Sequence, residues 1–411
     1  MNIQHFFNDR TEIRTYRALT KAPLAPWIEQ YAEHLRQEGY SMESSCEHLR
    51  MLGRFNEWLD TQSYTTDIVT PDAFEGFRDH LQRQGKLRNG YERVLGYLFR
   101  IMHPELCVET PSRLDVLMNG FRDYQLNERG LARTSVVDSR RLVQNFLEQQ
   151  VPGGVSGDLS QIQPDLIADW IKRQASRASA AYARHIVTAL RSFFSYAFYK
   201  RLIDRNLATC VPSVRSWSLA DLPRHLSAEQ VQKVLDSCDR NRPGGKRDFA
   251  ILLLCARLGL RAGEVIALQL DDIDWDAGFI TVRGKTRRAS RMPLPQEVGE
   301  AIADYLYSSR PRCKSRHVFI RSRAPHRPFA EVGAISAIAT RALKNAGVAI
   351  ALNGAHVFRH SLATTMLKNG ASLGEIGEIL RHRRADTTRI YAKVDMVSLR
   401  KLALPWPGGA Q

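Results

Sequence analysis

The chain has 411 residues, 44% of them hydrophobic, which is enough for more than one packed core and excludes a globally disordered polymer. Lys and Arg number 59 against 43 Asp and Glu, and the net charge of +16 points to a polyanion, either nucleic acid or an anionic membrane face. No apolar run approaches the ~20 residues of a membrane span, the opening MNIQHFFNDRTEIR has no apolar signal core, and Cys46, Cys107, Cys210, Cys238, Cys255 and Cys313 form no C-x-x-C pair, so a reduced, cytoplasmic, nucleic-acid-binding protein is predicted.

Residues 1–105 read as a first module of amphipathic helices, with Leu49, Met51, Leu52, Phe55, Trp58 and Leu59 at helical spacing. A break with Pro104 and Pro111 follows, and residues 112–212 repeat the pattern. A spacing of 91 residues places Gly39 on Gly130, Leu35 on Leu126, Met51 on Leu142, Leu52 on Val143 and Phe55 on Phe146. Pro71-Asp72 then matches Pro164-Asp165, and Phe77 matches Trp170. A duplicated four- or five-helix unit is one reading; shared apolar periodicity of small bundles is the other.

Residues 213–226, with Pro223 near their end, form the predicted interdomain linker. A helix then begins at Ser227, where Gln230 completes a capping box, and Ser372 with Glu375 forms another. The very apolar DFAILLLCARL is predicted to be a helix ending at Gly259, and GFITVRG with RMPLP a hairpin. Further helices are expected around Val298–Ser308, Val332–Ala346, Val357–Lys368 and Leu373–Leu380. The fold class expected is mainly α, with helical N-terminal modules and a mixed α+β domain over residues 227–395. Neither G-x-x-x-x-G-K-[ST] nor G-x-G-x-x-G occurs, and no cofactor is expected.

The last third carries a set of chemical residues in one order. Arg261 stands in LGLRAGEV, Lys285 follows 24 residues later in VRGKTRRASRMPLP, and His356 and Arg359 lie in AHVFRHSL. His382 ends LGEIGEILRH, and Tyr391 stands nine residues beyond it in TTRIYAKV. A lone His-x-x-Arg or a lone turn lysine carries little information, but chance does not readily supply the whole order. From about Leu226 to Val394 the chain resembles the phage-integrase and Xer-like tyrosine recombinases, and residues 112–212 resemble that family's helical core-binding domain.

That resemblance implies a site-specific recombinase, which cleaves and rejoins DNA through a 3′-phosphotyrosyl bond to Tyr391. Its transition state gains negative charge on a phosphate, and an arginine fork can hold two oxygens at once, so Arg261 and Arg359 are the expected clamp. His356 shares a helix face with Arg359 at i and i+3 and is the expected base for Tyr391, whose ordinary pKa near ~10 leaves it neutral. Lys285 is the expected acid for the leaving 5′-oxygen. His382 resembles the family position that bonds the phosphate and buttresses the tyrosine. Glu264 is a candidate to orient Arg261, with an ordinary surface pair as the alternative. His356, His360 and His382 also suggest a metal site, but a hydrolytic zinc motif would carry Glu where Val357 stands, and His360 is expected to pack or hydrogen-bond beside the arginine.

The implied partners are double-stranded DNA with specific core sites and three further copies of the chain, forming a tetramer on two paired sites. An accessory recombinase or DNA-bending protein is compatible with that assembly, and a membrane is not. A non-catalytic architectural binder and a type IB topoisomerase are the alternatives; the first has no need of Tyr391 or Lys285. The tail, residues 396–411, carries Met396, Leu399, Leu402 and Leu404 and is expected either to dock on a neighbouring protomer or to fold back on its own domain.

Overall fold

A computed structural model describes residues 10–62, 69–87, 90–104, 112–150, 159–214, 224–284, 289–348, 354–382 and 385–394. Most of residues 213–226 and all of 396–411 therefore lie outside the described residues, as does Lys285. Helices dominate, with one small antiparallel sheet, in agreement with the expected fold class.

The first bundle contains α1 (Arg10–Leu19), α2 (Ala25–Gln37), α3 (Met42–Thr61), α4 (Pro71–Arg83) and α5 (Tyr91–Met102). Ser41 caps α3 by accepting from the Ser44 N–H at 3.2 Å, and Pro71 opens α4, where a missing N–H costs nothing. Tyr31, Leu52, Phe55, Phe77 and Leu98 fill its core. The second bundle contains α6 (Arg113–Asp123), extended by a π-turn over Tyr124–Glu128, then α7 (Arg133–Gln150), α8 (Pro164–Ala175) and α9 (Ala180–Tyr199). Phe121, Phe146, Trp170, Phe193 and Phe194 fill that core.

The matched positions correspond in structure. Helices α3 and α7 begin at residues separated by the same 91, and α4 and α8 both open on proline with an aspartate in the first turn. Gly39 and Gly130 both adopt left-handed backbone, with φ of +76° and +61°. The pairs Leu52/Val143, Phe55/Phe146 and Phe77/Trp170 are all buried, whereas Leu126 is part-exposed where Leu35 is buried.

The C-terminal region is built around α11 (Pro243–Arg257), whose residues Ala250–Ala256 are all buried. Around it pack α10 (Ala228–Asp236), α12 (Ala262–Ala267), α13 (Gln296–Ser308), α14 (Val332–Asn345) and α15 (His356–Lys368). Both capping boxes form, Ser227 with Gln230 and Ser372 with Glu375. The hairpin strands are β2 (Phe279–Arg283) and β3 (Ala289–Pro293), with Ile280 opposite Met292. A third strand that the sequence pattern did not suggest, β1 (Ile273–Asp274), pairs antiparallel with β2. A smaller apolar cluster joins α15 to α16 (Leu373–Ile379) and to the turn after α17 (Ala385–Arg389) through Ala363, Ile376, Leu380 and Tyr391.

Residues Met1–Cys107 and Asp221–Gln411 form one compact unit, and Val108–Ala220 form another. Within the first unit, the Arg327 guanidinium donates to the Glu38 carboxylate, and the His326 N–H donates to the Glu38 carbonyl at 3.1 Å. The first bundle has a core of its own and lies in one unit with the C-terminal region. Among the described residues no helix is long and apolar enough to cross a membrane.

Candidate active site

Five of the six residues singled out from the sequence lie within the described residues, and the turn that ends α11 begins to gather them. Gly259 takes left-handed backbone, φ +58°, and a side-chain carbon there would stand 2.6 Å from Leu380. Glycine suits both this backbone and this close approach. Through it the Gly259 carbonyl accepts a hydrogen bond from one Arg359 Nη, while the Leu380 carbonyl accepts from the other. Arg359 is 3% exposed and, among the described residues, forms no ion pair with a carboxylate. Burial, then the charges of Arg261 and Arg381, push its pKa down to about 10, so it remains a cation at neutral pH.

Arg261 is the N-cap of α12 and is held by Glu264 from the first turn of the same helix. Its Nη1 donates to Glu264 Oε1 at 2.7 Å, and its backbone N–H donates to Oε2 at 2.9 Å. Burial raises the Glu264 pKa, but the Arg261 N–H and the two guanidinium groups outweigh it, and the net shift is downward. Glu264 is thus the buried partner of Arg261, not an ordinary surface pair. Arg261 and Arg381 share this carboxylate, and among the described residues Arg359 brings a third positive charge with no ion pair of its own.

The tyrosine side is assembled differently. Tyr391 is 1% exposed, and its hydroxyl lies 2.9 Å from His360 Nδ1. Burial raises the Tyr391 pKa more than Arg359 and Arg261 lower it, so the phenol is neutral. Burial, then His356 and Arg359, push His360 down to about 4, so this imidazole is neutral too. The tautomer that carries its proton on Nε2 is the one able to accept the phenolic hydrogen at Nδ1. The His382 ring lies parallel to Tyr391, with centroids 6.4 Å apart, and His382 Nδ1 is 2.8 Å from the Thr388 hydroxyl. Gly377 leaves room for that hydroxyl, because a side-chain carbon there would lie 3.1 Å from it. His382 is likewise lowered to about 4, by burial first and then by Arg359 and Arg261.

The expected base, His356, is not the imidazole placed against the phenol. His360, not His356, meets the Tyr391 hydroxyl. His356 stands at the exposed start of α15, and the surrounding protein atoms, then Arg359 and Arg261, lower its pKa. Both histidines lie on α15 one turn apart, and only the packing of the Tyr391 turn against α15 distinguishes them. Lys285 lies outside the described residues; β2 ends at Arg283 and β3 begins at Ala289. Two contributors were not anticipated, Thr388 behind His382 and Arg381 beside Glu264. Among the described residues no three His, Cys, Asp or Glu side chains are grouped to hold a metal ion.

Residues 224–397 match the model of the phage integrase family. The putative integrase/recombinase y4rA of Sinorhizobium fredii is 41% identical over 399 residues, covering 95% of this chain and 96% of that protein. Tyrosine recombinase XerD of Halalkalibacterium halodurans is 29% identical over 286 residues, covering 68% of this chain and 93% of its own. In fold, the chain is similar to a lambda integrase dimer bound to a COC′ core site, with TM-score 0.51, 16% identity, and coverage of 80% of this chain and 93% of that one. The chain belongs to the phage integrase family of tyrosine recombinases, and its class is that of site-specific DNA strand transferases.

Proposed function

We propose that this chain cleaves double-stranded DNA at specific core sites through a 3′-phosphotyrosyl bond to Tyr391. The observation that carries this reading is Arg359, a buried guanidinium held by two backbone carbonyls beside a neutral, histidine-bound tyrosine. A buried cation without a carboxylate is costly, and a phosphate is the partner that would offset the cost. Arg359 and Arg261 hold the non-bridging oxygens, and His356 and His382 add hydrogen bonds at the rim.

As a phosphate approaches, its charge raises the basicity of His360. The phenolic proton passes to His360 Nδ1, the Tyr391 oxygen bonds to phosphorus, and the bond from phosphorus to the 5′-oxygen breaks. Lys285 supplies the proton that the 5′-oxygen takes up. The diester energy is kept in the phosphotyrosine, so attack by a 5′-hydroxyl restores the DNA without a nucleotide or other cofactor. Exchange between two sites requires four protomers; the dimer on a core site named for the lambda integrase structure is compatible with that assembly. Integration, excision or resolution of a mobile element by a cytoplasmic enzyme fits the similarity to integrases, and the 396–411 tail is the candidate link between protomers.

The test uses a library of nicked duplexes with randomised sequence. The full chain should become covalently attached to DNA on a denaturing gel, and sequencing the attached strands yields its site. Tyr391→Phe should bind that DNA and form no adduct; an adduct with this variant removes Tyr391 as nucleophile. On the site so identified, Lys285→Ala should lose about 10²–10⁴-fold in cleavage. A 5′-bridging sulfur, which leaves without a proton, should restore most of that loss. Equal defects on the two substrates exclude Lys285 as the acid.

A further inference from the structure

Helix α16 ends in a Schellman cap. The Arg381 N–H donates to the Glu378 carbonyl at 2.9 Å, and the His382 N–H donates to the Gly377 carbonyl at 2.8 Å. The residue between these two bonds must take left-handed backbone, a position that favours glycine, yet Arg381 occupies it with φ +56°. The same cap ends α9, where Arg201 also has φ +56°, but the Arg201 side chain is exposed. Arginine at such a cap therefore says little by itself. What sets Arg381 apart is where its side chain goes.

Its guanidinium turns into the site, with the side chain 12% exposed. Nη2 donates to Glu264 Oε2 at 2.9 Å, Nη1 lies 2.6 Å from the Met292 sulfur on β3, and Nε is buried without a hydrogen-bond partner. Its own carbonyl accepts from Arg261 Nη2 at 3.4 Å. Arg381 thus touches Arg261 from two directions, through its carbonyl and through the carboxylate they share.

We propose that Arg381 is a positioning residue that divides Glu264 with Arg261 and so fixes the Arg261 guanidinium toward the phosphate. Glu264 Oε1 takes Arg261 Nη1, and Oε2 takes Arg381 together with the Arg261 backbone N–H. With Arg381 gone, the whole carboxylate is free to draw Arg261 inward, away from the substrate. The contact with Met292 adds a second dependence, since β3 is one of the two strands flanking the Lys285 segment. The inference rests on the proposed Tyr391 chemistry, because Arg261 is assigned there to the phosphate.

Arg381→Gly is the informative variant, since glycine suits this backbone and relieves its strain. It should still fold, the relieved backbone strain offsetting part of the lost Glu264 pair, and should lose about 10- to 100-fold in single-turnover cleavage, the range that displacing one clamp group produces. In a Glu264→Gln background the same change should add little further loss, because both act through one carboxylate. Arg381→Lys should recover part of the activity. Side-chain NMR of the Arg261 guanidinium, without DNA, should show its signals shifted or broadened in Arg381→Gly. Unchanged Arg261 signals, parental cleavage, or additive losses in the double variant would each overturn the proposal. A parent chain that forms no DNA adduct defeats the Tyr391 reading instead, and the NMR comparison then judges Arg381 alone.

Discussion

The two sides of the site are held by opposite physics. On the arginine side, permanent charges are fixed by a buried carboxylate and by backbone carbonyls, through Glu264, Gly259, Leu380 and Arg381. On the tyrosine side, the phenol and the two imidazoles beside it are kept neutral, with Tyr391 raised and His360 and His382 both lowered to about 4. The first side keeps its charges through the neutral pH range and so provides a fixed field there. In the proposed reaction the second moves a proton, and it rests in the form able to do so. Such a division separates binding of a phosphate from activation of the nucleophile.

Three measurements break or sharpen this contrast. The largest effect is expected at Arg359, where Arg359→Ala removes both carbonyl contacts and the buried charge, and cleavage should fall by at least about 10³-fold. A loss below about tenfold would mean that the field comes from elsewhere. Next, His360→Ala should slow cleavage by about 10²-fold and exceed the effect of His356→Ala. The reverse order would return the base to His356.

The smallest effect is on stability. A histidine whose folded pKa lies near 4, against an ordinary 6.5, takes up protons more readily when unfolded. Stability should therefore be full above about 6.5, fall as pH drops toward 4, and level below that. In thermal melts His360→Gln should flatten part of this slope, while Glu264, lowered by its arginines, still loses stability at more acidic pH. A parent and variant with parallel slopes would show that His360 is not held neutral.

Much of the fold was legible because it depends on local chemistry. The boxes at Ser227 and Ser372 mark their helix starts, and the apolar positions of α3 and α7 identify both bundle cores. Strand β1 was missed because two residues carry no periodicity. In the site, residue types and order pointed to Arg261, Arg359, His382 and Tyr391, but not to which histidine meets the phenol. His356 and His360 are separated by one helical turn, and the choice is made by the Tyr391 turn packing on α15, a contact between residues far apart in sequence. Arg381 escaped notice for a similar reason. A basic residue at a helix end ordinarily points to solvent, as Arg201 does, and only tertiary packing turns this one inward.

The burial of Tyr391 has a kinetic consequence. In the proposed reaction, attack on phosphorus comes in line with the departing oxygen, and a hydroxyl with 1% of its residue exposed has no such approach from solvent. The turn over Ile390–Val394, with α17 before it, must shift before the first bond forms. Cleavage by Tyr391, as proposed, would then contain a conformational step as well as a chemical one, and such segment motions take microseconds to milliseconds. Where the motion is the slower step, the observed rate should be indifferent to a better leaving group and sensitive to anything that loosens the contacts of Tyr391 with His360, Ile376 and Leu380.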